Sequence, residues 1–342
     1  MSTTESSDGC HRAAERGRNC ARALAVAAAT VVASLVTGVS PIHAVTYCGS
    51  EGDVLQNVFE PVGAEGSWTN AANWSFHHLP GGGETLCVPG GTVALVKDGT
   101  TMTGNAVGYV TTLKIEGTVR VQEAGAIVHT NGVYGGTNIV NGGVIQVLNG
   151  STVYMLSDQI GASAYQNLAG GQIQVSSGST LSLNRPMDNS GSIDLTGGGT
   201  FRLDSAEAAY GGTGTVIGGK VRVNAGTVTF GGGALGVLAV SGDVKGTVGA
   251  NQSLDMACDT STTGVNMPQG LVNNGTVRFV PSIQGDCGEI VTIPGGTTFT
   301  NNGTFIVGEP GTHTGIHFGS NVYSADGEIV NGPTGTMVIN DY

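Results

Sequence analysis

The chain has 342 residues, with 13 Lys and Arg against 25 Asp and Glu, a formal net charge of −12. That acidity argues against nucleic acid or an anionic lipid surface as a partner, since both would be repelled. With 11% charged residues, 39% hydrophobic residues and 59 glycines, the chain is too apolar and too sparsely charged for disorder and rich in turn formers.

Residues 1–44 read as a secretory leader. Arg12, Arg16, Arg18 and Arg22 precede an uncharged apolar run over residues 23–39, and Ile42, His43 and Ala44 form a small-residue cleavage site. The expectation is cleavage after Ala44 and a secreted or cell-surface chain with no membrane segment afterwards; an uncleaved N-terminal anchor is the alternative. Residues 45–90 lie outside the repeat that follows and hold both tryptophans, Trp68 and Trp74. They are expected to be a cap whose aromatics bury the end of a core, the other reading being a sugar-binding platform. Four cysteines follow the leader: Cys48, Cys87, Cys258 and Cys287. In an exported chain an even count favours disulfides. Local pairing, Cys48 with Cys87 and Cys258 with Cys287, fits the repeat best. No zinc spacing is present, and no metal or cofactor is expected.

From Gly91 onward the chain repeats. A glycine followed by apolar residues at +2 and +4 recurs at Gly91, Gly117, Gly143, Gly171, Gly191, Gly219, Gly246, Gly275, Gly303 and Gly335. The +2 column runs Val93, Val119, Ile145, Ile173, Ile193, Val221, Val248, Val277, Phe305 and Met337. The +4 column runs Leu95, Val121, Val147, Val175, Leu195, Val223, Ala250, Phe279, Val307 and Ile339. Apolar residues either side of a mostly polar +3 position mark a strand with one buried face. A period of this length marks a solenoid of about ten rungs over residues 91–342, all-β and parallel. Many units carry a second glycine, such as Gly150, Gly178, Gly199 or Gly226, read with the Asn-Gly pairs at Asn141, Asn149, Asn274, Asn302 and Asn331 as positive-φ turns.

The stretch Trp68, Trp74, Ser75, then Pro80-Gly81 and Pro89-Gly90, followed by the glycine-anchored rungs, resembles the passenger regions of bacterial autotransporter-like and adhesin-like surface proteins. Single GGAL (232–235) and FTNN (299–302) segments are similar to those of polymorphic outer-membrane proteins. The resemblance spans most of residues 45–342. It implies a right-handed parallel β-helix with an N-terminal cap, and a non-enzymatic adhesin-like role.

The alternative is a polysaccharide lyase or hydrolase, or a carbohydrate-binding β-helix, with a glycan as partner. Such sites need clustered carboxylates and cations on one outer face. The densest run holds Arg185, Asp188, Asp194, Arg202, Asp204, Lys220 and Arg222. Asp194 and Arg222 fall in one outward +3 column, so Asp194, Arg202, Asp204 and Arg222 are the candidate catalytic set; a salt-bridged solvated face explains the same residues. His313 and His317, and residues 49–53, read as surface loop rather than metal sites. The +1 column is rich in threonine, but its mixed +3 neighbour, which includes Arg, excludes a flat ice-like lattice. The sequons at Asn73, Asn149, Asn251, Asn274 and Asn302 follow from the turn-rich composition. Along the +3 column the last two residues, Ile306 and Val338, are apolar. That end is expected to dock against a second copy or a partner chain, unless the loop over 308–326 folds back across it.

Overall fold

Short apolar–polar alternations separated by glycine make strands of two to seven residues, most of them three to five, too short to stand alone. They are stabilised by stacking on the equivalent strand of the next coil. A computed structural model shows this arrangement and describes Cys48 and residues 56–80, 84–97, 112–122, 138–155, 165–257, 264–279, 291–308, 322–323 and 327–340. Residues 1–44, which read as a leader in the sequence, Cys258, Cys287, His313, His317, residues 49–53 and most of 308–326 lie outside the described residues.

The strands form three parallel sheets of fifteen, seven and nine strands. One coil places Tyr165–Asn167 on the first sheet, Gln172–Val175 on the second and Thr180–Leu183 on the third. The next repeats the circuit with Pro186–Asn189, Ser192–Asp194 and Thr200–Leu203. The fold is therefore a parallel β-solenoid with a thin continuous core. On the third sheet that core is the column Leu181, Phe201, Val221, Val237, Leu254, Val277 and Phe305, all buried and in register. Each such side chain contributes about 1.5–3 kcal/mol by leaving water.

Phe59, Trp68 and Trp74 are buried at the N-terminal end. Their rings meet edge to face at 5.2 and 4.7 Å, and Trp74 Nε1 donates to the Trp68 carbonyl at 2.9 Å. The tryptophans are a plug and not a sugar platform. The same segment is also the first coil, since Gln56–Val58 pairs with Thr85–Val88 and Glu65–Ser67 with Val93–Val96. Cys48 and Cys87 are joined, with Cα atoms 5.6 Å apart, within the usual range for a disulfide.

The single register expected from sequence divides into two. Val119, Ile145, Ile173 and Ile193 do stack on the second sheet. The column then continues to Val216, and the second sheet stops there. Val221 and Val223 lie on the third sheet, paired with Phe201 and Leu203, as do Val277, Phe305 and Met337 farther along. Val248 is buried but pairs with Asn273, and Ala250 is an exposed turn residue. The first unit is out of step by one: Ala94 and Val96 point inward, and Val93 and Leu95 outward. The pattern survived these changes because one corner motif, Asn then Gly, is used at two different corners. It joins the first sheet to the second at Asn167, and the strand Leu271–Asn273 to the third sheet at Asn273.

The corner asparagines are not simple turn residues. Asn141, Asn167 and Asn189 are buried, and each Nδ2 donates forward along the stack: Asn141 to Asn167 Oδ1 at 2.8 Å, Asn167 to Asn189 Oδ1 at 2.7 Å, Asn189 to Tyr210 Oη at 2.9 Å. A second ladder runs from Asn273 to Asn301 at 2.7 Å and on to Asn331 at 2.6 Å. The first ladder begins where the preceding coil has Ile115, which leaves the buried Asn141 Oδ1 without a partner. The anchor glycines beside these ladders serve close approach and not positive φ. A Cβ on Gly143 would fall on the Gly117 carbonyl oxygen, and one on Gly191 on that of Gly171. Gly150, Gly178 and Gly226 do have positive φ, as expected; at the next corner Gly198, rather than Gly199, takes that role.

Two measurements check this register. Ile173 is 1% exposed and its neighbour Gln174 faces outward, so Ile173→Asp should remove more than about 3 kcal/mol of stability by burying an unpaired charge. Gln174→Asp should cost less than about 1 kcal/mol; equal losses in urea unfolding would contradict the assignment. The Tyr210 phenol is pushed up to about 12 by burial, against the lowering effect of the Asn189 hydrogen bond, with the Asp188 charge raising it further. The unfolded phenol ionises first, so stability should fall as pH rises from about 10 towards 12, by on the order of 2 kcal/mol. Tyr210→Phe should lose that component; an unchanged pH slope would place the phenol elsewhere.

Candidate functional site

The charged run expected to form one cluster winds round the solenoid. Asp188 faces out from the first sheet, Asp194 from the second, and Arg202 and Arg222 from the third. Asp194 is in register with Gln174 and Ile217, not with Arg222. The expected shared column of Asp194 and Arg222 is thus corrected: the series had crossed from one sheet to another. Asp194 accepts from the Thr196 hydroxyl at 2.6 Å and the Thr196 amide at 2.8 Å. These bonds hold its carboxyl below the ordinary range. It braces a turn as a fixed carboxylate, which is the reverse of what a general acid needs.

Arg202, Asp204 and Arg222 do come together. The outward column of the third sheet runs Tyr154, Ser182, Arg202, Arg222, Leu238, Asp255, Arg278, Ile306, Val338. Ser182 Oγ donates to Asp204 Oδ2 at 2.6 Å, and Asn224 Nδ2 donates to Asp204 Oδ1 at 2.8 Å. Arg202 Nε lies 2.6 Å from Asp204 Oδ2, although not aligned for a hydrogen bond, and Arg222 Nε donates to Asn224 Oδ1 at 2.8 Å. Farther along, Asp255 is 6% exposed and held between two cations. Lys220 Nζ pairs with its Oδ2, and Arg278 Nε donates to its Oδ1 at 3.0 Å. Both carboxylates are therefore already balanced by cations or donors. Ser182, Asn224, Asp255 and Arg278 escaped the sequence reading. A signal for the first part was present in Arg202-Leu203-Asp204 and Arg222-Val223-Asn224, two like triplets one coil apart.

The second sheet carries a quieter version. Arg120 pairs with Glu65 at 2.6 Å and donates to Gln146 at 2.8 Å, and Gln146 donates to Gln174 at 2.8 Å. Among the described residues no group of three or more His, Cys, Asp or Glu is placed to hold a metal ion, and no helix is long and apolar enough to cross a membrane.

The last described coil ends the ladders with exposed apolar side chains. Ile329, Met337 and Ile339 occupy positions whose partners one coil earlier, Phe299, Phe305 and Val307, are buried, yet they are 39%, 41% and 58% exposed. Val338, 38% exposed, sits beside the half-buried Ile306 on the outer face. Comparison with protein-family models, curated proteins and solved structures returns no match.

Proposed function

We propose that this chain is an exported, non-enzymatic, adhesin-like structural solenoid held at or released from a cell surface. The observation that carries the reading is the use made of the outward carboxylates. Asp194, Asp204 and Asp255 are each committed to a turn or a coil-to-coil tie, which stiffens the faces and leaves them as extended display surfaces. The apolar edge at Ile306, Val338, Met337 and Ile339 is where a second copy of the chain docks. The strand Thr336–Ile339 has no charged side chain, so two copies of an acidic protein meet there without repulsion. Export rests on the leader-like residues 1–44.

The alternative, a polysaccharide-active enzyme, draws on the Arg202, Asp204 and Arg222 cluster. One experiment separates the two. Beads coated with the purified chain are tested for retention on glycan-coated and protein-coated surfaces, with parallel assay of polysaccharide cleavage and of assembly by light scattering. Retention without cleavage, together with assembly that Ile306→Lys plus Val338→Lys abolishes, is expected. Cleavage lost on Asp204→Ala with the fold intact would replace the proposal by the alternative.

A further inference from the structure

Asn-Gly pairs lie among the described residues at Asn141, Asn149, Asn274, Asn302 and Asn331, while Asn131-Gly132 falls outside them. An asparagine before glycine can react with its own backbone, because glycine leaves the following nitrogen unshielded beside the side-chain amide. In four of the described pairs the corner holds that nitrogen in place. The Gly142 amide donates to the Ile115 carbonyl at 2.8 Å, Gly303 to the Asn273 carbonyl at 2.8 Å and Gly332 to the Asn301 carbonyl at 2.7 Å. The Gly275 amide donates to Asn273 Oδ1 at 3.0 Å. The side chains are tied as well. Asn141 donates to Asn167 at 2.8 Å, Asn302 donates to Asn274 at 3.2 Å, and Asn331 accepts from Asn301 at 2.6 Å. Asn149-Gly150 differs. It is the middle of a turn closed by the Ser151 amide donating to the Leu148 carbonyl at 3.1 Å, with positive φ at both residues, 58° and 74°. Both are exposed, and a Cβ on Gly150 would meet nothing within 4 Å. The Gly150 amide donates to a side chain, Ser179 Oγ at 3.1 Å, rather than to a corner carbonyl.

We propose that Asn149 is a site of spontaneous conversion to aspartate and isoaspartate, through a succinimide, in the folded protein. Base removes the Gly150 amide proton, and that nitrogen forms a bond to Asn149 Cγ. The bond from Cγ to Nδ2 breaks, and ammonia leaves with a proton taken from water. Water then opens the five-membered ring. Attack at Cγ returns an ordinary aspartate; attack at the Asn149 backbone carbonyl leaves the chain running through Cβ and Cγ. One amide and one water become one carboxylate and one ammonium ion, and no other reactant is consumed. The attack needs the turn to open, since the Gly150 nitrogen must swing towards the side chain. Local opening costs least where few bonds hold the backbone. At Asn149 it gives up the turn bond and the Ser179 contact. At Asn274 and Asn302 it would break the bonds of the Asn274 amide to Val248 and the Gly303 amide to Asn273, beside glycines that already touch the preceding coil. Asn149 lies between the second-sheet strand Val144–Val147 and the third-sheet strand Thr152–Met155. The reaction therefore adds a negative charge at that corner and, in isoaspartate, one more backbone atom. It is independent of the display role proposed above.

The test incubates the full chain, folded, at mildly alkaline pH and follows each Asn-Gly peptide by mass spectrometry and by an isoaspartate assay. Asn149 should convert faster as pH rises, and at least about tenfold faster than Asn141, Asn274 and Asn302, with Asn331 of the last described coil between them. In guanidinium chloride, where the corners are lost, the five described pairs should converge to within about threefold. Asn149→Gln, whose ring would have six members, should remove the fastest site and leave the other four unchanged. Equal rates at Asn149 and Asn274 in the folded protein would overturn the proposal. So would a ranking that survives denaturation unchanged, or no conversion at Asn149 under conditions that convert it in the denatured chain.

Discussion

The fold depends on how closely one coil's backbone can approach the next at its corners. At Gly143, Gly191, Gly275 and Gly303 the position of a Cβ is already occupied by a carbonyl oxygen of the coil before. Side chains would hold the coils apart, and the parallel ladders on each side of the corner would lose their spacing. Beside these glycines the chain turns at exposed residues such as Gly142, Ser190 and Asn274, while the asparagines that precede them are buried and tie one coil to the next. Asn167 Nδ2 donates both to Asn189 and, at 3.3 Å, to the Ser192 carbonyl of the next coil, and Asn273 does the same with Asn301 and Thr304. Glycine supplies the space and asparagine the hydrogen bonds, so the two occur together.

Once the corners are fixed, the rest follows from repetition. Each coil cannot bury its apolar face alone, so the core is a column that needs closure at its ends. At the start, Trp68, Trp74 and Phe59 provide it. At the last described coil the column ends in exposed Ile329, Met337 and Ile339. Outward positions are free of the core's demands, and there the chain varies: polar and amide ties on the second sheet, ion pairs and arginines on the third. The display function proposed for this protein is the use of that freedom.

Much of the architecture was legible in the sequence because strand alternation and corner glycines are local signals. The buried faces of Ile145, Ile173 and Ile193, the aromatic plug and the local Cys48–Cys87 disulfide were all readable that way. What sequence could not show was which corner a given Asn-Gly motif occupies. The coils shorten where Tyr210, Val228 and Val244 stack, and the second sheet ends nearby at Thr215–Ile217. A linear count of glycines crosses that change without registering it. That slip put Asp194 and Arg222 in one column and hid the pairing of Arg202 with Arg222. It also made Asn141 look like a turn residue, because a buried amide ladder and a turn share the same two letters.

The central claim is that corner glycines are there for coil-to-coil contact. Gly191 and Gly90 separate contact from turn flexibility, since neither has positive φ, yet a Cβ on Gly191 would collide with the Gly171 and Leu168 carbonyls and one on Gly90 would meet nothing within 4 Å. Equilibrium unfolding of Gly191→Ala and Gly90→Ala is therefore the direct measurement. The account predicts a loss above about 2 kcal/mol for Gly191→Ala and a change within about 0.5 kcal/mol for Gly90→Ala. Similar small effects at both positions would contradict it.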